Sequence, residues 1–237
     1  TQKIQYWGMT LRCMKALIMS FKVKDTIEHI KKLLAAACNS IVINLQSTGE
    51  TYITGGRKGE QEIDKINSSP MHIIKRYLSK NLPYDASGPE TRGIDKRVKD
   101  IEAYINNSVQ HVSSLTNNPL DAIIHEFGCD MVAEMTGRRQ RIRKDGTIEL
   151  RQPGENLKEK DLFIHNQKRI AILSDASSTG ISLHSMDINC VRHHIILELP
   201  WSAEQFIQQC GRTHRSSQIN KPIYTVMITD IDGEKRF

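Results

Sequence analysis

The sequence predicts an α/β protein built on an open, mainly parallel sheet, with helices on both faces and a partly helical insertion. Three observations carry that expectation. Five short runs of strand character recur at about 41–45, 131–135, 169–174, 194–199 and 223–229. Helical patterns stand before and between them, and strands alternating with helices build parallel sheets. The first run, Ser40-Ile41-Val42-Ile43-Asn44-Leu45, is largely apolar on successive residues, as a strand covered on both faces requires.

Two helices open the chain. Met9 to Phe21 is apolar and methionine-rich, and Lys24 to Cys38 sets Ile27, Ile30, Leu33, Leu34 and Ala37 on one stripe. The first strand then ends in the polar turn Gln46-Ser47-Thr48-Gly49-Glu50. From 51 to 118 the texture changes. Gly55-Gly56-Arg57-Lys58-Gly59, Ser68-Ser69-Pro70 and Asp85-Ala86-Ser87-Gly88-Pro89 punctuate it. Met71 to Leu82 is helix-like, and Val98, Ile101, Tyr104, Ile105, Val109 and Val112 have helical spacing. A compact α/β domain does not otherwise put so many residues between its first two strands, so 51–118 reads as an insertion within one lobe spanning 1–237.

Pro119 suits a first helical turn, with Gly128 as the stop after Phe127. The strand Met131 to Met135 leads into Arg138–Arg151, which holds six basic and two acidic residues around the turn signal Asp145-Gly146. That is a cationic hairpin, or an ordinary solvated one. Arg169 to Ser174 is a strand. His194 to Leu199 is another, closed by Pro200-Trp201. Ser202-Ala203-Glu204-Gln205 forms a capping box that opens the next helix, and Ile223 to Thr229 is the last strand.

Composition narrows the function. Hydrophobic residues make up 38% of the chain and mean hydropathy is −0.44. No apolar run is long enough for a bilayer and no signal peptide opens the chain, so no membrane partner is expected. The chain begins at Thr1, and a longer parent is expected. Five scattered cysteines without a C-x-x-C pair point to reduced thiols in an intracellular setting. His193-His194 project to opposite faces of a strand and make no metal site. With 33 Lys+Arg against 27 Asp+Glu, the net charge of +6 permits a polyanionic partner without requiring one.

The chemistry concentrates in Gln208-Gln209-Cys210-Gly211-Arg212-Thr213-His214-Arg215-Ser216-Ser217-Gln218. Arginines three residues apart are expected on one face of a helical turn. Their planar, permanently charged forks suit an oligophosphate and the charge of a transferring phosphoryl group. A solvated basic helix end is the plainer reading of Arg-x-x-Arg alone. The second signal is Ser174-Asp175-Ala176-Ser177-Ser178-Thr179-Gly180-Ile181-Ser182, where small hydroxyl residues let the backbone approach a phosphodiester and Gly180 allows a left-handed turn. Asp175 can accept from a ribose hydroxyl or orient an arginine.

The pattern Gln208-x-x-Gly211-Arg212-x-x-Arg215 resembles motif VI of superfamily 2 helicases, and Ser174-Asp175-x-x-x-x-Gly180-Ile181-Ser182 is similar to motif V. Longer blocks resemble one family, the helicase C domain of Strawberry notch proteins. They are 42–50, 132–138, 177–183, 197–204 and 232–237, in order. The likeness covers most of 9–50 and 119–237 but not 51–118, and Thr179 departs from the small residue expected there. It implies the second RecA-like lobe of an ATP-driven motor, a nuclear protein of transcription or chromatin regulation.

In that reading Arg212 and Arg215 are the arginine fingers, and Gln208, Asp175, Gly180 and Gly211 adjoin the nucleotide. Gln46, Ser47, Thr48, Ser174, Ser177 and Ser178, with Arg139, Arg141 and Arg143, contact a DNA or RNA backbone. ATP and Mg²⁺ belong to the intact parent, Mg²⁺ being held by the first RecA-like lobe. This chain shows neither a Gly-x-x-x-x-Gly-Lys-Ser/Thr phosphate loop nor the acid cluster of a first lobe, so it is expected to be inactive alone. Further partners would be chromatin or transcription factors. The alternative is a motor-dead scaffold acting as a transcriptional co-regulator.

Overall fold

Asn39–Leu45 forms β1, and every residue after Asn39 is buried. This strand is the centre of the molecule. In the computed structural model, which describes residues 2–35, 39–46, 118–143, 147–174, 180–231, 234 and the isolated positions 100, 103 and 107, it is flanked on both sides by parallel neighbours. The partners are β5 (Ile170–Ser174) and β6 (Val191–Ile196), with β2 (Val132–Met135) and β7 (Ile223–Val226) outside them. The five-stranded order β2-β5-β1-β6-β7 is parallel throughout the pairings.

Strand alternation divides the core into two layers. Ile41, Ile43, Leu45, Ile170, Ile172, Ile195 and Leu197 face one side and pack with Met19 and Ile30 of α1 (Gln2–Leu34) and Leu120 and Ile123 of α2 (Pro119–Phe127). Val42, Ala133, Met135, Ala171 and Leu173 face the other side, under Phe163 of α3 (Glu155–Ile164) and Leu183. Removing so much aliphatic surface from water stabilises the fold by about 25 cal/mol per Å² buried.

Where two opening helices were expected, α1 is a single helix of 33 residues. Neither Gly nor Pro interrupts it between Phe21 and Lys24, and Lys22 and Val23 are buried against the body. Ser20 and Thr26 return their hydroxyls to the carbonyls of Ala16 (2.8 Å) and Lys22 (2.7 Å), so their polar groups cost the helix little. Lys22 donates to the Leu197 carbonyl at 3.0 Å and to Glu234, tying α1 to the end of β6 and to the last described residue. The α2 boundaries match expectation: Asn118 caps Leu120 N at 3.0 Å, Pro119 stands in the first turn, and Gly128 ends the helix at φ 82°.

Other boundaries differ. β6 starts at Val191, earlier than expected, because the polar Arg192 and His193 pair with Ser40 and Ile41 and are buried. β7 ends at Val226, since it is an edge strand with one neighbour. Helix α3 was not expected: only Phe163 of its residues is buried, so no apolar stripe advertises it. The hairpin is present as β3 (Gln140–Ile142) and β4 (Ile148–Leu150), antiparallel, while its turn at 144–146 lies outside the described residues. Segment 51–117 also lies outside them, apart from helical positions at Asp100, Ala103 and Asn107.

Arg138 is not part of the hairpin's solvent face. It is buried and donates through Nε (2.6 Å) and Nη2 (2.9 Å) to Glu134 and through Nη1 to Asp121 (2.5 Å). Burial alone would raise the Glu134 carboxyl, but the paired bonds from Arg138 outweigh it and hold Glu134 below its ordinary value. Asp121, with a single arginine contact, is raised by burial. Arg151 joins from β4's end, donating to the Glu134 carbonyl at 2.7 Å. We expect Arg138→Leu to cost about 3–5 kcal/mol in urea unfolding, because it leaves buried Asp121 without its arginine and Glu134 with only Arg151, at 3.4 Å. A loss below about 1 kcal/mol would show that the network is not what holds β2 to α2.

Candidate functional site

Parallel strands bring their carboxyl ends to one edge, and in open α/β sheets ligands gather there. At this edge β1 delivers Gln46, β5 delivers Ser174, β2 delivers Thr136-Gly137 and β6 delivers Leu197-Glu198. Ser174 is buried, and its Oγ accepts from Gly137 N at 3.3 Å, which joins two strand exits. Glu198 joins two more: Oε2 accepts from Gln46 N at 3.1 Å, and Oε1 accepts from Lys15 of α1 at 3.0 Å. Lys15 lies 5.1 Å above the ring of Trp201, which is 66% exposed. Lys15, Ile18, Met19, Glu198, Pro200 and Trp201 line a small pocket of about 120 Å³ there.

The central strand also leaves polar atoms unused. The Asn44 amide nitrogen and oxygen, and Gln46 Nε2, are buried and make no hydrogen bond among the described residues. Alternation puts Asn44 and Gln46 on the same side of β1, nearest its carboxyl end. Buried donors in this state cost on the order of 1–3 kcal/mol each, so this edge carries unsatisfied hydrogen-bonding capacity. Ser47, Thr48, Asp175, Ser177 and Ser178, the other residues expected here, lie outside the described residues. Gly180 follows them at φ 78°, the left-handed conformation that its residue type favours.

The arginine segment lies elsewhere. Helix α4 (Ala203–Cys210) starts beyond β6, with Ser202 Oγ accepting from Gln205 N at 3.2 Å as its N-cap. Its far end packs beside the middle of β6, where His194 Nδ1 meets Thr213 Oγ1 at 2.8 Å. Arg212 and Arg215 were expected on one helical face, but both follow the helix end. Thr213 N and His214 N both reach back to the Cys210 carbonyl at 3.2 Å, and this turn ends the helix. Arg212 is half-buried, its carbonyl accepting from Leu183 N at 2.7 Å. Arg215 is exposed, and its backbone N donates to Gln218 Oε1 at 3.0 Å.

Gln208 is exposed on α4 and donates to Glu204 at 3.3 Å. Gly211 is helical at φ −60°, and an added Cβ would lie 3.4 Å from the Gln208 and Ile207 carbonyls, so conformation alone does not demand glycine. The two motif segments are stitched together. His184 stands between Ser182 Oγ (2.8 Å) and Ser217 Oγ (3.0 Å), and Ile219 N donates to the Ser185 carbonyl at 3.1 Å. His184, His194, Thr213, Tyr224 and Glu198 were not anticipated. The contacts that tie them across the fold reach partners 14 to 183 residues away in sequence, and no local pattern signals such contacts.

On the hairpin, Arg139 is exposed, while Arg141 and Arg143 both donate to Glu149. Their bonds hold the Glu149 carboxyl at about 2, well below its usual range. The local cationic charge is therefore lower than the arginine count alone suggests. Among the described residues, no helix is long and apolar enough to cross a membrane.

Comparison with known proteins agrees with these features. The family model described as the C-terminal domain on Strawberry notch homologue matches residues 118–237. Protein strawberry notch homolog 2 of Mus musculus is 40% identical over 228 residues, 82% of this chain and 17% of that protein. Protein strawberry notch of Drosophila melanogaster is 41% identical over 165 residues, 63% of this chain and 10% of its own length. Protein FORGETTER 1 of Arabidopsis thaliana is 44% identical over 144 residues, 52% of this chain and 11% of its own. The chain thus spans between 10% and 17% of the length of these relatives. With its parallel α/β sheet and its match to that C-terminal domain, the chain belongs to the helicase-like Strawberry notch family.

Proposed function

We propose that the chain is the second RecA-like lobe of an ATP-dependent superfamily 2 motor, lending Arg212 and Arg215 to ATP held on a first lobe of the same parent protein. The observation that carries the reading is Arg215. Its guanidinium is exposed and makes no ion pair among the described residues, yet it follows a turn fixed by several hydrogen bonds. A finger needs this combination: fixed before the reaction, and not neutralised by an acid of its own fold. Arg212 braces or shares the contact, and Gln208, Asp175, Gly180 and Gly211 adjoin the nucleotide. Mg²⁺ falls to the opposing lobe in this reading.

The carboxyl edge is the path we assign to the DNA or RNA backbone. The unused amide donor of Gln46 and the cluster of strand exits around Ser174 support it, with Ser47, Thr48, Ser177 and Ser178 close by in sequence. Arg139, Arg141 and Arg143 add charge from the hairpin. The parent would act in the nucleus, in transcription or chromatin regulation, with chromatin or transcription factors as partners; this setting rests on family membership alone.

The purified chain should show no ATP turnover, because the geometry is shared between two lobes. Turnover by this chain that survives Arg212→Lys and is lost with another of its residues would overturn the split site. In the intact parent, Arg215→Lys keeps the charge but loses the planar fork. Nucleic-acid-stimulated turnover should fall clearly, though by less than the roughly 10³–10⁵-fold of fingers acting alone, since Arg212 can partly compensate. Nucleic-acid affinity should hold. Unchanged turnover in both Arg215→Lys and Arg212→Lys would favour the scaffold reading.

On the hairpin, neutralising Arg139, Arg141 and Arg143 together should weaken binding and flatten its salt dependence. Glu149→Gln should do the opposite, releasing two paired arginines and steepening the salt slope. Titration of an oligonucleotide at several salt concentrations measures both. If neither variant moves affinity or slope, the hairpin is only a solvated ribbon.

A further inference from the structure

One backbone carbonyl near the end of α4 gathers an unusual number of donors. Cys210 O accepts from Thr213 N and His214 N at 3.2 Å, from Thr213 Oγ1 at 3.2 Å and from the Tyr224 hydroxyl at 3.0 Å. A carbonyl has two lone pairs, so these donors share it and hold it from several directions. Tyr224 comes from β7 and His194 from β6, so the last turn of α4 is tied to two adjacent strands. The tie is made at Cys210 and Thr213, between Gln208 and Arg215 of the motif.

The tie is a chain of hydrogen bonds running from strand to turn. Thr213 Oγ1 lies 3.2 Å from Cys210 O and 2.8 Å from His194 Nδ1, and the direction of the His194 bond follows the imidazole tautomer. His194 Nε2 is buried and has no partner among the described residues. The imidazole lies against the Tyr224 ring, with centroids 5.4 Å apart and planes tilted by 39°.

We infer that Thr213, His194 and Tyr224 are the positioning residues of the arginine pair: they pin the Cys210 carbonyl and the turn after it, and so set the direction in which Arg212 and Arg215 leave the fold. The geometry stands by itself, while its catalytic consequence rests on the motor reading above. Burial, helped by the nearby Arg212 charge, pushes His194 down to about 4, so the ring is neutral at physiological pH and adds no charge to the arginines it orients. None of the three residues need touch a nucleotide. A finger displaced by an ångström loses a large part of its effect, so rigidity at its root matters as much as its charge.

The test uses the full-length parent and two readouts. Thr213→Val keeps shape and removes the hydroxyl, and His194→Leu removes the ring nitrogen that meets it. Thr213→Ser restores the hydroxyl, and His194→Asn puts an amide, with both a donor and an acceptor, close to where Nδ1 was. Val and Leu should lower kcat for nucleic-acid-stimulated ATP turnover by about tenfold or more, with KM for ATP and oligonucleotide affinity unchanged. Amide exchange across Arg212–Arg215 should quicken by about tenfold in the same two variants. Ser and Asn should recover both.

Unchanged exchange and kcat in Val and Leu would overturn the inference. So would Ser and Asn variants as impaired as Val and Leu, since the loss would then be general damage. Failure of the motor reading is a separate outcome. If Arg212→Lys and Arg215→Lys leave turnover untouched while exchange still responds to Val and recovers with Ser, the motor reading falls and the positioning stands.

Discussion

The two-sided burial of β1 is the constraint on which the rest of the structure depends. With parallel neighbours on both edges and a core layer on each face, its residues after Asn39 have no route to water. Its register then fixes β5 and β6, and through them β2 and β7. Because all these strands run the same way, their exits are forced onto one edge. The convergence of Gln46, Gly137, Ser174 and Glu198 follows from topology and needs no specific attraction among them. What the side chains add is the stitching: Ser174 to Gly137, and Glu198 to Gln46 and Lys15.

Charged groups inside the fold serve as connectors. Arg138 joins α2 to β2 through Asp121 and Glu134. Arg192 on β6 reaches the Leu183 carbonyl at 3.2 Å and lies 4.4 Å from the Phe163 ring centroid, which bridges a strand to the layer above it. Each carries a desolvation cost that only good geometry offsets. In return they hold together elements for which apolar packing has less to offer, such as α3 with its one buried residue.

The legible parts of this fold were those with local causes. Ile41-Val42-Ile43 announced a buried strand, Asn118-Pro119 a helix start, Gly128 its end, and Ser202 a cap; each of these involves residues within a few positions of one another. The start of β6 was expected at His194, too late, because the polar Arg192 and His193 gain their place from Ser40 and Ile41, far away in sequence. Two helices were expected, ending at Phe21 and starting at Lys24, yet Lys22 between them is buried and bound to an acid 212 residues away. The arginines themselves stood out in sequence, whereas their support did not: Thr213 is an unremarkable residue until His194 and Tyr224 are brought beside it. The hairpin showed the reverse problem, since counting arginines overstated a charge that Glu149 takes up in part.

Helix α1 has a mechanical consequence. From Gln2 to Lys22 it extends about 30 Å at the usual rise per residue, and Lys22 anchors it to the Leu197 carbonyl and Glu234. The stretch from Gln2 to Lys22 is therefore a lever arm held at its root, while the rest of the helix packs on the core through Ile30. A swing of about 10° at the Lys22 fulcrum sweeps the Gln2 tip through roughly 5 Å, by the same rise. Along that arm, Lys15 grips Glu198, which grips Gln46, so torque on the helix is delivered to the exit of the central strand.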